Sequence, residues 1–270
     1  MPGSNFLLKQ WEEQRLLFIS NLQTIRRRPV KKAVHDIRVA LKKLKSTLSL
    51  VNSFAKDGDA QKFAGIQQFF RISGKFRDMD MSLSLLRKTG KQEQISLPPF
   101  SRNLRSMLPI TRQATMDSAV ENHETELAKM TDWVKTQLVT VSDEEVIKKP
   151  EELSAEILNE VQLLSGKFTR HAHHIRIMLK RLYYGLKQCP VNPFFDKSKM
   201  KKLDKALKAL GNWHDYFVLH DKLRRFRKEY LVKKTDEYRD ARKMEEITAL
   251  LQEQWLAGAH QNITALVKED

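Results

Sequence analysis

The chain repeats itself. His35-Asp-Ile-Arg38-Val-Ala-Leu-Lys42-Lys43-Leu-Lys45 returns 138 residues later as His173-His-Ile-Arg176-Ile-Met-Leu-Lys180-Arg181-Leu-Tyr183. A second pair follows each copy. Gly74-Lys75-Phe76-Arg77-Asp78 answers to Gly211-Asn-Trp213-His214-Asp215 at an offset of 137, and Arg71 to Lys208. Two motifs in the same order at nearly the same offset imply two homologous halves. The expectation is one domain over 1–270, with repeats of approximately 1–142 and 143–270. Whatever unit the first half builds, the second must build again.

That unit reads as helix. Apolar residues recur at helical spacing almost throughout, and no strand pair is defensible. The spacing predicts helices over Asn5–Arg27, Lys31–Phe54 and Asp59–Leu86, the last broken near Gly74. A loop is expected over Thr89–Ser101, because it holds Gly90 and Pro98-Pro99. Then come a helix over Arg102–Val139 interrupted at Pro109, a division over Thr140–Pro150, and a long helix over Glu151–Gln188. Cys189-Pro-Val-Asn-Pro193 should stop that helix, since a residue before proline avoids helical geometry. Ala55–Asp59 reads as a turn, and Ser198–Tyr230 and Thr235–Val267 as helices. Only 9 Gly and 8 Pro in 270 residues agree with an all-α chain and leave no Gly-rich phosphate loop.

On a helix the repeat divides into two stripes. At about 100° per residue, His35, Arg38, Lys42 and Lys45 fall within roughly 80° of one another. Ile37, Leu41, Leu44 and Leu48 form an apolar face beside them. The second copy sets His173, Arg176, Lys180 and Lys187 on one stripe, with Ile175, Leu179, Leu182 and Leu186 on the other. Like charges one turn apart repel by a few tenths of a kcal/mol per pair. No acid stands in either stripe to relieve them. Two halves that both keep such a stripe point to a bound anion rather than a solvated face.

Charge agrees with that direction. Forty-nine Lys+Arg against 33 Asp+Glu give a formal +16, which suits a polyanion. One cysteine excludes an internal disulfide framework and favours a reducing, cytoplasmic compartment. No apolar run is long enough to span a bilayer, and Met1–Phe6 carries no secretory pattern.

With these motifs the chain resembles the CHAD family, the conserved-histidine α-helical domain. The resemblance covers nearly the whole chain. It implies an all-α fold of two repeated antiparallel four-helix bundles with pseudo-twofold symmetry around a basic central groove or pore. It further implies inorganic polyphosphate as ligand and association with polyphosphate granules. The family's basic positions fall here on His35, Arg38, Lys42, Lys45, His173, Arg176 and Lys180. One departure is Tyr183, where the family usually has a basic residue. Further candidate ligands are Arg181 and Lys187 on the second motif helix, with Arg71, Lys75, Arg77, Lys208 and His214 on the helices that follow. Asp78 and Asp215 are expected to orient Arg77 or His214. Gly74 and Gly211 should permit close helix approach, and Phe76 and Trp213 should be core.

Binding would use convergent cations, with Arg gripping two oxygens at once and Lys acting as a mobile point charge. The histidines, lowered in pKa by neighbouring cations, would charge in the complex, so binding should tighten as pH falls toward 6. No nucleophile elbow, Walker sequence or paired carboxylate suggests an enzyme. No cofactor is implied. His171, His173 and His174 point three ways on one helix, so a metal is not expected. Nucleic acid is the alternative ligand and competitor, with Arg26-Arg-Arg-Pro-Val-Lys-Lys32 as its contact, although exposed aromatics for stacking are missing. A third reading is a purely structural helical scaffold that coats an anionic granule or binds an acidic protein.

Overall fold

In a computed structural model of the chain, residues 3–55, 62–187 and 195–267 are described. These residues form nine helices and no strand: α1 (Gly3–Arg27), α2 (Lys31–Asn52), α3 (Gly65–Glu93), α4 (Pro98–Ala119), α5 (His123–Val139), α6 (Asp143–Ser165), α7 (Phe168–Leu186), α8 (Lys197–Tyr230) and α9 (Asp236–Val267). The motif residues lie on α2 and α7, and the second pair of motifs on α3 and α8. The expected turn at 56–59 and the stop at Cys189–Pro193 lie outside the described residues.

Several boundaries differ from the sequence reading, each for a local reason. α3 runs unbroken through Gly74 to Glu93, so the expected loop shrinks to the turn before Pro98. Pro98 and Pro99 start α4 instead of belonging to the loop, because proline suits the first helical turn, where its missing N–H has no partner to lose. Pro109 sits inside α4, and the interruption falls instead between Ala119 and His123. That corner is held by Arg26 of α1. Its Nε donates to the Ala119 carbonyl at 2.7 Å, and its two terminal nitrogens donate to the Glu124 carboxylate at 2.7 Å each.

α6 begins well before the expected Glu151. Ser142 and Glu145 form a reciprocal capping box, which satisfies otherwise orphaned N–H groups at the helix start. Pro150 is carried inside α6, where buried Val146 and Pro150 itself anchor the turn against the usual proline penalty of about 3 kcal/mol. The long helix expected over Glu151–Gln188 is two helices, divided at Gly166-Lys167.

The apolar stripes of the repeat are the core. Ile37, Leu41, Leu44, Ile175 and Leu179 are fully buried, and Leu48, Leu182 and Leu186 nearly so. Each such side chain contributes about 1.5–3 kcal/mol relative to an exposed one. One cluster joins α1, α2, the start of α3 and α5, around Trp11, Phe18 and Phe69. A second joins α6, α7, the start of α8 and the end of α9. A third is shared by the two halves. Leu83, Leu86, Phe100 and Leu104 of α3 and α4 meet Leu219, Leu223, Phe226 and Met244 of α8 and α9. α2 packs on α7 and α3 on α8, so the halves meet along the helices that carry the motifs. Phe76 is buried as expected, and Trp213 is partly buried against the second cluster.

Candidate functional site

The apolar stripes turn α2 and α7 inward, and this aims the basic stripes beside them at one another. Where the two helices cross, small residues face. Ser46 Oγ of α2 donates to the Arg181 carbonyl at 3.3 Å, and a Cβ on Gly185 would lie 3.4 Å from that hydroxyl oxygen. Along the crossing opens a cavity of about 460 Å³. His35, Arg38, Lys42 and Lys45 line it from α2, Arg77 from α3, Arg176, Lys180 and Arg181 from α7, and His214 from α8. Asp78 is the one acid in the described lining.

Each cation is placed by a particular contact. The Arg38 guanidinium donates to the Phe70 carbonyl and to Ser73 Oγ, the latter at 3.1 Å, and lies 3.9 Å from the Phe70 ring centre. Gly74 makes the room: a Cβ there would sit 3.2 Å from an Arg38 nitrogen. Gly211 does not play the matching part, for a Cβ there would meet nothing within 4 Å. Lys45 donates to Gln67 Oε1 at 2.6 Å, with its ammonium 4.8 Å from the same Phe70 ring. Arg77 crosses between the halves. It grips both oxygens of Asp215 on α8, at 2.6 and 2.9 Å, and touches Asp78 at 3.1 Å. The acids therefore orient Arg77, as their position in the motif suggests. The Arg77 guanidinium is held more firmly charged by these two carboxylates despite its burial.

The electrostatics are those of cations with too little to face. Burial first, then Arg176, Lys42 and Arg77, push the Lys180 ammonium down to about 7. Lys42 is lowered to about 8 by burial, then by Arg38, Arg176 and Arg77. Arg38 comes down to about 10, chiefly by burial. Arg176 is lowered for the same reason, and its Nε is buried without a hydrogen-bond partner. His214 is pushed to about 4 by burial and by Arg176, and its Nδ1 is likewise buried and unpartnered. His173 is lowered by burial, then by Arg176 and Lys180. Burying charge without a partner is costly, so these lysines give up their protons more readily.

Not every candidate reaches the cavity. Arg71, Lys75 and Lys208 are exposed and outside its lining, and His173 meets it only through His214, ring centres 5.7 Å apart. Lys187 is exposed, its ammonium 4.5 Å from the Tyr183 ring centre. Tyr183 thus recruits a cation from the next turn, while its neighbour Tyr184 faces the cavity with Lys42 at 5.9 Å. The sequence reading missed Ser46, Ser49, Phe70, Ile177 and Tyr184 in the lining. Phe70 and Tyr184 each stand beside a cation, and no repeat marks them. The run at 26–32 is partly consumed by structure: Arg26 pairs with Glu124, Lys31 with Asp80 and Lys32 with Asp36.

The comparisons with known proteins bear on the fold. The crystal structure of the CHAD domain from the plant Ricinus communis superimposes with a TM-score of 0.72, covering 97% of this chain and 92% of that one at 16% sequence identity. Among curated proteins nothing matches. A family model described as CHAD domain matches residues 9–224. With a match over that much of its length, the chain belongs to the CHAD domain family.

Proposed function

We propose that the groove between α2 and α7 binds inorganic polyphosphate, and that the protein is a binding module rather than an enzyme. The observation that carries this reading is the convergence of Arg38, Lys42, Arg176 and Lys180, from both halves, on one concave site with a single acid in its described lining. A chain of phosphates has little to recognise besides charge and oxygen. The groove offers two planar forks and two point charges at close quarters, and a long narrow anion answers all of them together. Its negative charge compensates the buried cations and relieves their mutual repulsion, and that free energy appears as affinity. Association with polyphosphate granules follows from the same chemistry, since a groove that grips the polymer also tethers the protein to it.

Nucleic acid is the competing polyanion, and the structure gives it less support than bulk charge does. Three members of the 26–32 run are engaged in ion pairs, and the aromatics in the groove are covered by cations rather than open for stacking. A competition assay at moderate salt separates the two. Long-chain polyphosphate is expected to displace single-stranded DNA or RNA completely at far lower concentration of phosphate units than the reverse exchange requires. Nucleic acid that displaces polyphosphate readily, and resists it in return, would sink the proposal.

A further inference from the structure

Away from the groove, the α3–α4 hairpin encloses a larger cleft of about 660 Å³. Its floor is apolar, made by buried Leu83, Leu86, Ile95 and Leu97. Its rim is four cations. Arg87 and Lys91 stand one turn apart on α3, and Arg102 and Arg105 one turn apart on α4. All four are exposed, no acid lines the cleft, and none of the four makes an ion pair or hydrogen bond among the described residues. The turn that closes this cleft is fixed. The Ile95 N–H donates to the Gly90 carbonyl at 3.0 Å, Gln94 takes a left-handed φ of 56°, and a Cβ on Gly90 would lie 2.6 Å from the Ile95 carbonyl oxygen.

The second half shows what an ordinary solvated version of this run looks like. At the offset of 137, Arg87 corresponds to Arg224 and Lys91 to Lys228. There Asp221 neutralises the run, at 3.1 Å from Arg224 and 2.9 Å from Arg225. The residue matching Asp221 in the first half is Ser84. The first half therefore lacks the compensating acid and faces its unpaired cations with two more from α4. Repulsion of this kind is relieved by a counter-anion.

We infer that the α3–α4 cleft is a second anion site, outside the groove, for a short run of phosphates. A narrow, flexible chain enters a cleft walled by two helices, whereas a duplex or a flat lipid surface meets only its rim. Because α4 begins with two prolines that carry no N–H, charge for binding comes from the four exposed side chains, and binding should be weaker and more salt-sensitive than in the groove. The choice of phosphate chain as ligand rests on the function proposed above; the site itself does not. Two sites on one protein would let it bridge strands of a polymer.

The test is calorimetric titration of the full chain with tripolyphosphate at low salt, using two variants. One carries Arg87→Gln, Lys91→Gln, Arg102→Gln and Arg105→Gln; the other carries Arg38→Met, Lys42→Met, Arg176→Met and Lys180→Met. The wild type should show two classes of site. The cleft variant should keep the tight class within about twofold and weaken the other at least tenfold, while the groove variant keeps only the weak class. A cleft variant that titrates like the wild type overturns the inference, as does a groove variant that binds no tripolyphosphate. So does a cleft that takes duplex DNA or phosphatidylserine vesicles in preference to tripolyphosphate. If instead the groove variant binds as the wild type does and the cleft variant binds nothing, the groove proposal fails and the cleft stands.

Discussion

Replacing Arg38, Lys42, Arg176 and Lys180 together with methionine should cost at least 100-fold in polyphosphate affinity and, at the same time, raise the melting temperature of the free protein. The first effect follows from losing four charge-assisted contacts, each worth about 1.5–3 kcal/mol when made. The slope of log affinity against log salt should flatten by about three, at roughly 0.7 per phosphate neutralised on a single strand. The second effect follows from how the groove's cations sit in the free protein. Lys180 and Lys42 are lowered to about 7 and about 8, and the Arg176 Nε has no partner, so folding holds these groups where their charge is unwelcome. Methionine keeps much of their volume without the charge. A gain of the order of 1 kcal/mol is the scale such relief commonly gives. Binding assays and thermal unfolding of the same variant check both halves of the prediction. A scaffold that merely coats an anionic surface predicts little loss of affinity.

Affinity should also fall as pH rises, and lysine rather than histidine should set the range. In the free protein Lys180 has its pKa depressed to about 7 and Lys42 to about 8. A bound polyanion raises both toward the usual value of about 10.4. Well below pH 7 both are charged with or without ligand, and the lysines then cost no affinity. Above it, binding must take up a proton at Lys180, and above about 8 a second at Lys42. Affinity measured at constant salt should therefore drop at least tenfold between pH 7 and 9. Lys180→Arg should flatten much of that slope, because guanidinium stays charged throughout. The groups facing Lys180 (Arg176, Lys42, Arg77 and Asp215) act on it with opposite signs, and the cations prevail. An affinity flat from pH 7 to 9 would show that these lysines do not change protonation on binding. The expectation for His35 and His173, that binding tightens toward pH 6, is a separate one at lower pH; His173 is lowered by burial, then by Arg176 and Lys180, and a bound polyanion would raise it.

The same sign holds for the free protein's stability. A lysine whose folded pKa lies below its unfolded value is protonated more in the unfolded chain between the two. Stability at this site therefore rises with pH from about 7 toward the unfolded value of about 10.4. Free stability and ligand affinity run in opposite directions with pH, as they do in the methionine variant.

Much of this was legible in the residues. The duplicated register alone places basic and apolar stripes side by side, and burying Ile37, Leu41, Ile175 and Leu179 leaves Arg38, Lys42, Arg176 and Lys180 directed at the groove. The lysine shifts were not legible, because they depend on how closely α2 and α7 approach, and that contact, where Ser46 meets the Arg181 carbonyl, joins residues far apart in the chain. Arg77 was legible in part. Its motif pointed to Asp78 or Asp215 as the orienting acid, and the structure shows both on it, Asp215 reaching it from 138 residues away. Helix ends failed where tertiary contacts override local signals. Pro109 and Pro150 are absorbed within helices, while Arg26 stabilises a corner that neither glycine nor proline announces. Arg71, Lys75 and Lys208 shared the motif's neighbourhood in sequence but stand outside the lining, since a helix carries only part of its circumference into any one cavity.

In the proposed complex a phosphate chain lies between α2 and α7, held from both sides at once. The decisive measurement is a crystal structure of the protein with a bound oligophosphate. Phosphate oxygens are expected within hydrogen-bonding distance of Arg38, Lys42, Arg176 and Lys180 in one continuous run of density. A groove left empty, with every phosphate on the outer faces of the helices, would contradict it.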